Sequence, residues 1–326
     1  MTFVYHVETH RNPRQIESLV RTIVRGAPDA LVVVDHDRSF ESPDPRVLAR
    51  LGAELRLSDG GYGDMTHVDR WMSTARWLES EGIDFSYLTN LTGQDYPIRP
   101  MAQIHADLEE SQTDAFIQTF AVLDPAETKW GVARGRTRYE FRHRRVGRLH
   151  PWQQWALRPV QVVNAVQPWG RITTSTGLAL GSREPAPWGD DLVLRGGSFF
   201  CTLSRAAVAA VLRFADNRPD VADFLSGSIA PDEVYLQTAL GWAVANDPEA
   251  SSLVIENDCR RYFDFSESTF NHPRTFTRDD LPAVLASGAD FARKFDEARY
   301  PGVLEVVDSR LAHVAVEPTL SVVLAS

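Results

Sequence analysis

Leu31-Val32-Val33-Val34-Asp35-His36-Asp37 sets an unbroken apolar run against an acidic end. A strand hydrophobic on both sides belongs in a sheet covered on both faces. Upstream, Phe3 to Val7 is short and β-prone, and Asn12-Pro13 then supplies a cap and a first-turn proline for a helix. Ile16, Leu19, Val20, Ile23 and Val24 line one face of that helix, and Gly26 stops it. This is a β-α-β start. Downstream, Val68, Trp71, Met72, Ala75 and Leu78 recur at helical spacing and lead into a further apolar strand, Phe85 to Leu91. The alternation predicts an α/β chain with a mostly parallel central sheet flanked by helices, its ligands gathered at the carboxyl ends of the strands.

From about 120 to 190 periodicity fades, Pro, Gly and Arg become frequent, and five of the eight tryptophans appear: Trp130, Trp152, Trp155, Trp169 and Trp188. After Leu192 it returns, with a helix from Ser204 (Val208, Val211, Leu212), another opening at Pro231, and a strand at Leu253 to Ile255. The expectation is a single domain over 1–326, with halves 1–120 and 192–300 around an irregular insertion at 120–190.

The 326 residues are 43% hydrophobic and 24% charged, which excludes a disordered or fibrous chain. A formal net charge of -10 argues against whole-molecule affinity for a nucleic-acid backbone. Cys201 and Cys259 are too few and too far apart for a disulfide framework and read as two buried thiols. No run approaches the ~18 apolar residues of a membrane helix, and no secretion signal opens the chain, so a soluble, cytoplasmic protein is expected. Of the 34 basic residues only Lys129 and Lys294 are lysine, which makes each of them informative.

Four constellations have chemical interest. Asp35-His36-Asp37 has the spacing of a two-carboxylate motif for a divalent cation, and also that of solvated loop acids past a strand. Asp232 and Glu233 sit in the first turn expected after Ala230-Pro231, where a helix dipole welcomes them; either one, facing a cleft, could take a proton from a sugar hydroxyl. Phe291-Ala292-Arg293-Lys294-Phe295-Asp296 places two cations between aromatics, with Arg260-Arg261-Tyr262 about thirty residues earlier, a pattern suited to a pyrophosphate. Between Arg134 and Arg148 seven arginines accompany one glutamate. That stretch fits a nucleic-acid patch, a loop satisfied by the protein's own carboxylates, or a rim for an anionic acceptor.

Together these segments resemble the core-2/I-branching enzymes, the β-1,6-N-acetylglucosaminyltransferases and their peptide O-xylosyltransferase relatives. The resemblance rests on His10-Arg11-Asn12-Pro13-Arg14-Gln15, Val34-Asp35-His36-Asp37-Arg38-Ser39, Tyr62-Gly63-Asp64-Met65-Thr66-His67-Val68 and Leu91-Thr92-Gly93-Gln94-Asp95-Tyr96-Pro97. It continues through Gly197-Ser198-Phe199-Phe200-Cys201-Thr202-Leu203, Pro231-Asp232-Glu233-Val234-Tyr235-Leu236-Gln237-Thr238, His272-Pro273-Arg274-Thr275-Phe276 and Phe291 to Asp296.

The resemblance implies a GT-A-like fold and inverting, metal-independent transfer from a UDP-sugar, with UDP-N-acetylglucosamine as donor and UDP-xylose as the alternative. It makes 1–120 the nucleotide-binding half, 192–300 the acceptor and catalytic half, and 120–190 a candidate acceptor region. It implies Glu233 as general base, Arg261 and Lys294 on the departing pyrophosphate, and Asp35 and Tyr62 beside the nucleotide, with no metal and no further cofactor. The partners implied are the UDP-sugar and a glycan or glycosylated small-molecule acceptor, with no nucleic acid and no membrane span. A non-catalytic glycan- or nucleotide-binding protein on the same scaffold is the competing expectation.

Overall fold

The computed structural model describes residues 2–312 except 62, 148–149, 158, 160–161, 163, 165–166, 175–177 and 267–271. Strands β1 (Phe3–Thr9), β2 (Leu31–Asp37), β3 (Glu54–Ser58) and β4 (Tyr87–Thr92) pair in parallel in the order β3-β2-β1-β4. Beyond β4 lie β12 (Cys201–Ser204), β6 (Ala115–Ile117) and β13 (Ile255–Glu256); β12 alone runs antiparallel to its neighbours. The result is the expected α/β architecture, a mostly parallel seven-stranded sheet with helices on both faces.

Period-two alternation divides the core. Val4 and Val33 pack on one face with Val68 and Trp71 of helix α3 (Thr66–Ser80), whereas Tyr5, Val7, Val32 and Val34 face helix α1 (Pro13–Gly26). Pro13 begins α1 as expected, but Asn12 does not cap it. Its backbone is left-handed (φ 55°), and its side-chain amide donates to Asp296 at 3.1 Å, tying the turn after β1 to the Lys294 segment. Gly26 lies inside the helix; a Cβ there would come within 2.8 Å of Met101, so its function is close packing against the start of the helix Met101–Glu110.

Three elements differ from the sequence expectation. The 120–190 segment is not irregular: β8 (Phe141–Gly147), β9 (Gly170–Thr173) and β10 (Leu178–Arg183) form an antiparallel sheet in the order β8-β10-β9. Helix α5 (Val132–Tyr139) precedes β8, and the short helix α6 (Pro151–Ala156) follows it. Pro231–Glu233 is a separate 3-10 turn, and the long helix starts only at Tyr235, because Val234 leaves helical geometry at φ -134°. A third sheet joins β14 (Arg261–Phe263), β15 (Phe291–Arg293) and β5 (Asp95–Pro97), so the Lys294 segment lands beside the end of β4. Cys201 and Cys259 are both free and buried, as expected.

Candidate active site

The site lies at the carboxyl ends of β1, β2 and β4, where the strand order reverses between β1 and β4. On the α3 side, alternation brings His6 and Glu8 of β1 together with Asp35 of β2, and helical spacing brings His67 and Arg70 over them. Arg70 donates to Asp35 Oδ1 at 3.0 Å and sits 3.8 Å from Glu8 Oε2, while His67 Nδ1 is 2.5 Å from the same Glu8 oxygen. His6 Nε2 lies 3.6 Å from Asp35 Oδ2, and the Ser58 hydroxyl donates to Asp35. Burial alone would raise Asp35, but the neighbouring His6, the Arg70 hydrogen bond and the Arg70 charge bring it down to about 2. Burial would likewise lower His67; the hydrogen bond and charge of Glu8 outweigh it and push the imidazole up to about 9.

Asp35, implied as a nucleoside contact, is buried in this network and accepts from Arg70 and Ser58. His36 turns to the opposite face and bonds Thr9 at 2.8 Å, while Asp37 caps its own turn through the Ser39 amide at 2.9 Å. The three residues therefore do not converge, and among the described residues no group of three or more His, Cys, Asp or Glu is arranged to hold a metal ion. Tyr62 lies outside the described residues.

The Pro231–Glu233 turn settles which carboxylate faces out. Ala230 enters it in left-handed backbone (φ 52°), its carbonyl accepting from the Tyr139 hydroxyl at 2.9 Å and its amide donating to the Gly63 carbonyl at 3.3 Å. The Gly197 amide donates to the Glu233 carbonyl at 2.9 Å, and Gly197 sits so tightly on the Gln118 carbonyl that any side chain would collide with it. Asp232 turns inward: its Oδ1 is buried without a partner among the described residues, and burial pushes the group up to about 6, opposed by the charge of His67. Glu233 turns outward, its side chain 36% exposed, and Arg138 of α5 donates to its Oε2 at 2.5 Å. Arg138 is itself mostly buried over the Trp130 ring, so a fixed donor from the insertion holds the carboxylate.

Beyond the end of β15, Lys294 is half-buried and makes no ion pair among the described residues. Burial lowers its ammonium, and the charges of Arg293 and Arg11 lower it further, against Asp296 and Asp95. The His272 ring responds to the same field: burial lowers it, then Lys294 and Arg293, with Glu233 opposing. The charges of Lys294 and Glu233 thus both reach the His272 imidazole.

Arg261 is placed differently from the expectation. It is 7% exposed, stacks 4.4 Å above the Phe291 ring, and donates to the carbonyls of Asn90 (3.1 Å) and Cys259 (3.2 Å). It straps the third sheet to β4. The cation adjoining Lys294 is Arg293, which bonds Thr92 and lies 3.5 Å from the buried carboxylate of Asp95. Arg11, Arg138 and His272 were not expected at the site from the sequence. Arg11 lies in the His10–Gln15 turn and Arg138 in the arginine-rich stretch, but only the topology brings either beside Glu233 or Lys294.

Residues 162–286 match the family model of the Core-2/I-Branching enzyme. The beta-1,3-galactosyl-O-glycosyl-glycoprotein beta-1,6-N-acetylglucosaminyltransferase 4 of Danio rerio is 20% identical over 335 residues, covering 94% of this chain and 69% of that relative. Among solved structures, a cytidylyltransferase from Leptospira borgpetersenii is 14% identical over 36% of this chain and 54% of its own, with a TM-score of 0.25. A 4-diphosphocytidyl-2C-methyl-D-erythritol synthase is 13% identical over 38% of this chain and 62% of its own, with a TM-score of 0.27. The chain thus spans a little over half the length of those two structures.

Proposed function

We propose that the chain is a glycosyltransferase of the core-2/I-branching kind, as its matches to that family model and to a β-1,6-N-acetylglucosaminyltransferase support, and that it transfers a sugar from a UDP-sugar, N-acetylglucosamine before xylose, to an acceptor hydroxyl with inversion. What supports this reading is an outward carboxylate, Glu233, held by Arg138, together with a half-buried cation, Lys294, that makes no ion pair among the described residues.

In this scheme Glu233, steadied through Oε2 by Arg138, takes the proton of the acceptor hydroxyl. The acceptor oxygen attacks the anomeric carbon from the face opposite the diphosphate, the bond from that carbon to the phosphate oxygen breaks, and UDP leaves with the electron pair. Lys294 stabilises the charge that develops on the diphosphate, with Arg293 and Arg11 adding to the local positive field. In this scheme the trio stands in place of Arg261 at the leaving group, because two of the Arg261 guanidinium nitrogens already donate to backbone carbonyls. The nucleotide belongs at the edge floored by the Asp35–Arg70–Glu8–His67 network. Side-chain cations at the leaving group make a divalent ion dispensable.

The test is a screen of UDP-sugars by UDP release, each run with and without EDTA. Release from UDP-N-acetylglucosamine that survives chelation supports the scheme. Abolition by EDTA would overturn metal independence, and release from UDP-xylose alone would transfer the reading to the alternative donor.

A further inference from the structure

Helix α1 buries one polar side chain among its apolar ones. Ile16, Leu19, Val20 and Ile23 are fully buried, and Gln15 lies beside them with only 2% of its surface exposed. An amide at such a position costs stability unless its hydrogen bonds are made. Gln15 makes them, and every partner is a backbone group. Its Nε2 donates to the Gly93 carbonyl at 2.7 Å and to the Phe295 carbonyl at 3.1 Å, and its Oε1 accepts from the Glu297 amide at 2.8 Å. Gly93 directly follows β4, whereas Phe295 and Glu297 lie one and three residues after Lys294. One buried side chain therefore ties α1, the end of β4 and the Lys294 segment together.

The rest of that segment is held in the same way. The Lys294 carbonyl accepts from the Phe276 amide at 2.9 Å, and the Phe295 amide donates to the Gln94 carbonyl at 2.9 Å. The Asp296 carboxylate accepts from the Asn12 side-chain amide at 3.1 Å. Phe295 is fully buried, its ring set edge-on to those of Phe276 and Tyr96 at 5.3 and 6.0 Å. The Lys294 side chain is the contrast: it makes no ion pair among the described residues. With no carboxylate to direct it, its reach is set by the backbone that carries it.

We propose that Gln15 is a positioning residue for the leaving group: by pinning Phe295 and Glu297 to the end of β4, it fixes where the Lys294 ammonium meets the diphosphate. The proposal rests on the reading of Lys294 as the cation at that diphosphate. A fixed charge stabilises a developing one only where it is preorganised, and a displacement on the order of an ångström forfeits much of the effect. Loss of the Gln15 amide frees the Phe295 carbonyl and the Glu297 amide from Gly93, and the ammonium shifts with them. A residue that acts through Lys294 matters only while Lys294 is present, which separates positioning from a merely structural role.

The experiment is a double-mutant cycle on the full chain, with UDP affinity measured by calorimetry and folding by thermal melting. Gln15→Met keeps the length of the side chain and removes its three hydrogen bonds. Gln15→Asn keeps an amide too short to span Gly93, Phe295 and Glu297 together, and it carries the test if Gln15→Met does not fold. Gln15→Met is expected to weaken UDP binding about tenfold and Gln15→Asn about threefold, and neither to weaken it further in the Lys294→Ala background. UDP affinity unchanged by the Gln15 substitutions, or lowered equally with and without Lys294, overturns the proposal and leaves Gln15 a structural residue. UDP affinity unchanged in Lys294→Ala alone overturns the reading beneath it, and the proposal with it.

Discussion

Arg138→Ala removes the one side-chain donor to Glu233 among the described residues while leaving the 3-10 turn otherwise held by the Gly197 amide and the Tyr139 hydroxyl. A charge-assisted hydrogen bond of this kind contributes about 1.5–3 kcal/mol where it is dry. Glu233 is 36% exposed, so screening reduces the expected loss to about 1–2 kcal/mol. For a chain of this size that is a fall in Tm of roughly 2–5 °C. The catalytic consequence is larger, because a carboxylate released from its donor samples positions an ångström or more from the attacking hydroxyl, which lowers kcat by about 10–100-fold. Arg138→Lys keeps the charge without the planar fork and is expected to recover part of that loss. Steady-state UDP release gives kcat, and calorimetry gives UDP affinity, which stays near that of the parent since the donor cations are untouched. If kcat of Arg138→Ala stays within about twofold of the parent, the donor does not position Glu233 and the reasoning fails.

Other substitutions test the supporting network. Since the folded-state value of His67, about 9, exceeds its ordinary 6.5, the stability from its pair with Glu8 is full below about pH 6.5 and is lost as pH rises through about 9. Thermal melts should show His67→Gln less stable than the parent at about pH 6, with the two converging near pH 10; a constant gap would contradict the pairing. Asp232 works in the opposite sense: burial raises it from 3.8 to about 6, so its ionisation costs stability as pH climbs between those values, and Asp232→Asn should raise Tm at about pH 8 but not near pH 3.5. Lys294→Ala should weaken UDP binding and transfer together with little change in Tm, whereas Arg261→Ala should mainly lower Tm by unstrapping Asn90 and Cys259. The converse pattern in calorimetry and melting would return Arg261 to the diphosphate.

Much of the fold was legible because burial on both faces leaves its mark on the chain. Leu31 to Val34 could only be an interior strand, and the helical spacing from Val68 to Leu78 fixed α3 on its face. The 120–190 segment was not legible as a sheet. Its strands are rich in arginine and glycine, and only one of their faces is covered, so the apolar alternation that reveals a strand is diluted. Asn12 and Pro231 mimic helix starts in sequence, yet Asn12 is pulled to Asp296, 284 residues away, and Val234 interrupts the turn after Pro231. At the site, residue type suggested a carboxylate and a cation cluster, but periodicity could not choose between Asp232 and Glu233. That choice is made by packing around the turn: His67 and the protein interior lie on one side of it and Arg138 on the other. Arg261 and Arg293 are equally cationic in sequence, and only the pairing of β14 with β15 separates a buried strap from a neighbour of Lys294.

The central claim is that Glu233 acts as a base and not as a binding group. The most direct measurement is UDP affinity and UDP-release rate in Glu233→Gln, a change that keeps the shape and a hydrogen-bonding oxygen while removing the charge. Transfer is expected to fall by about 10²–10⁴-fold with UDP affinity unchanged. Turnover at the parental rate would contradict it.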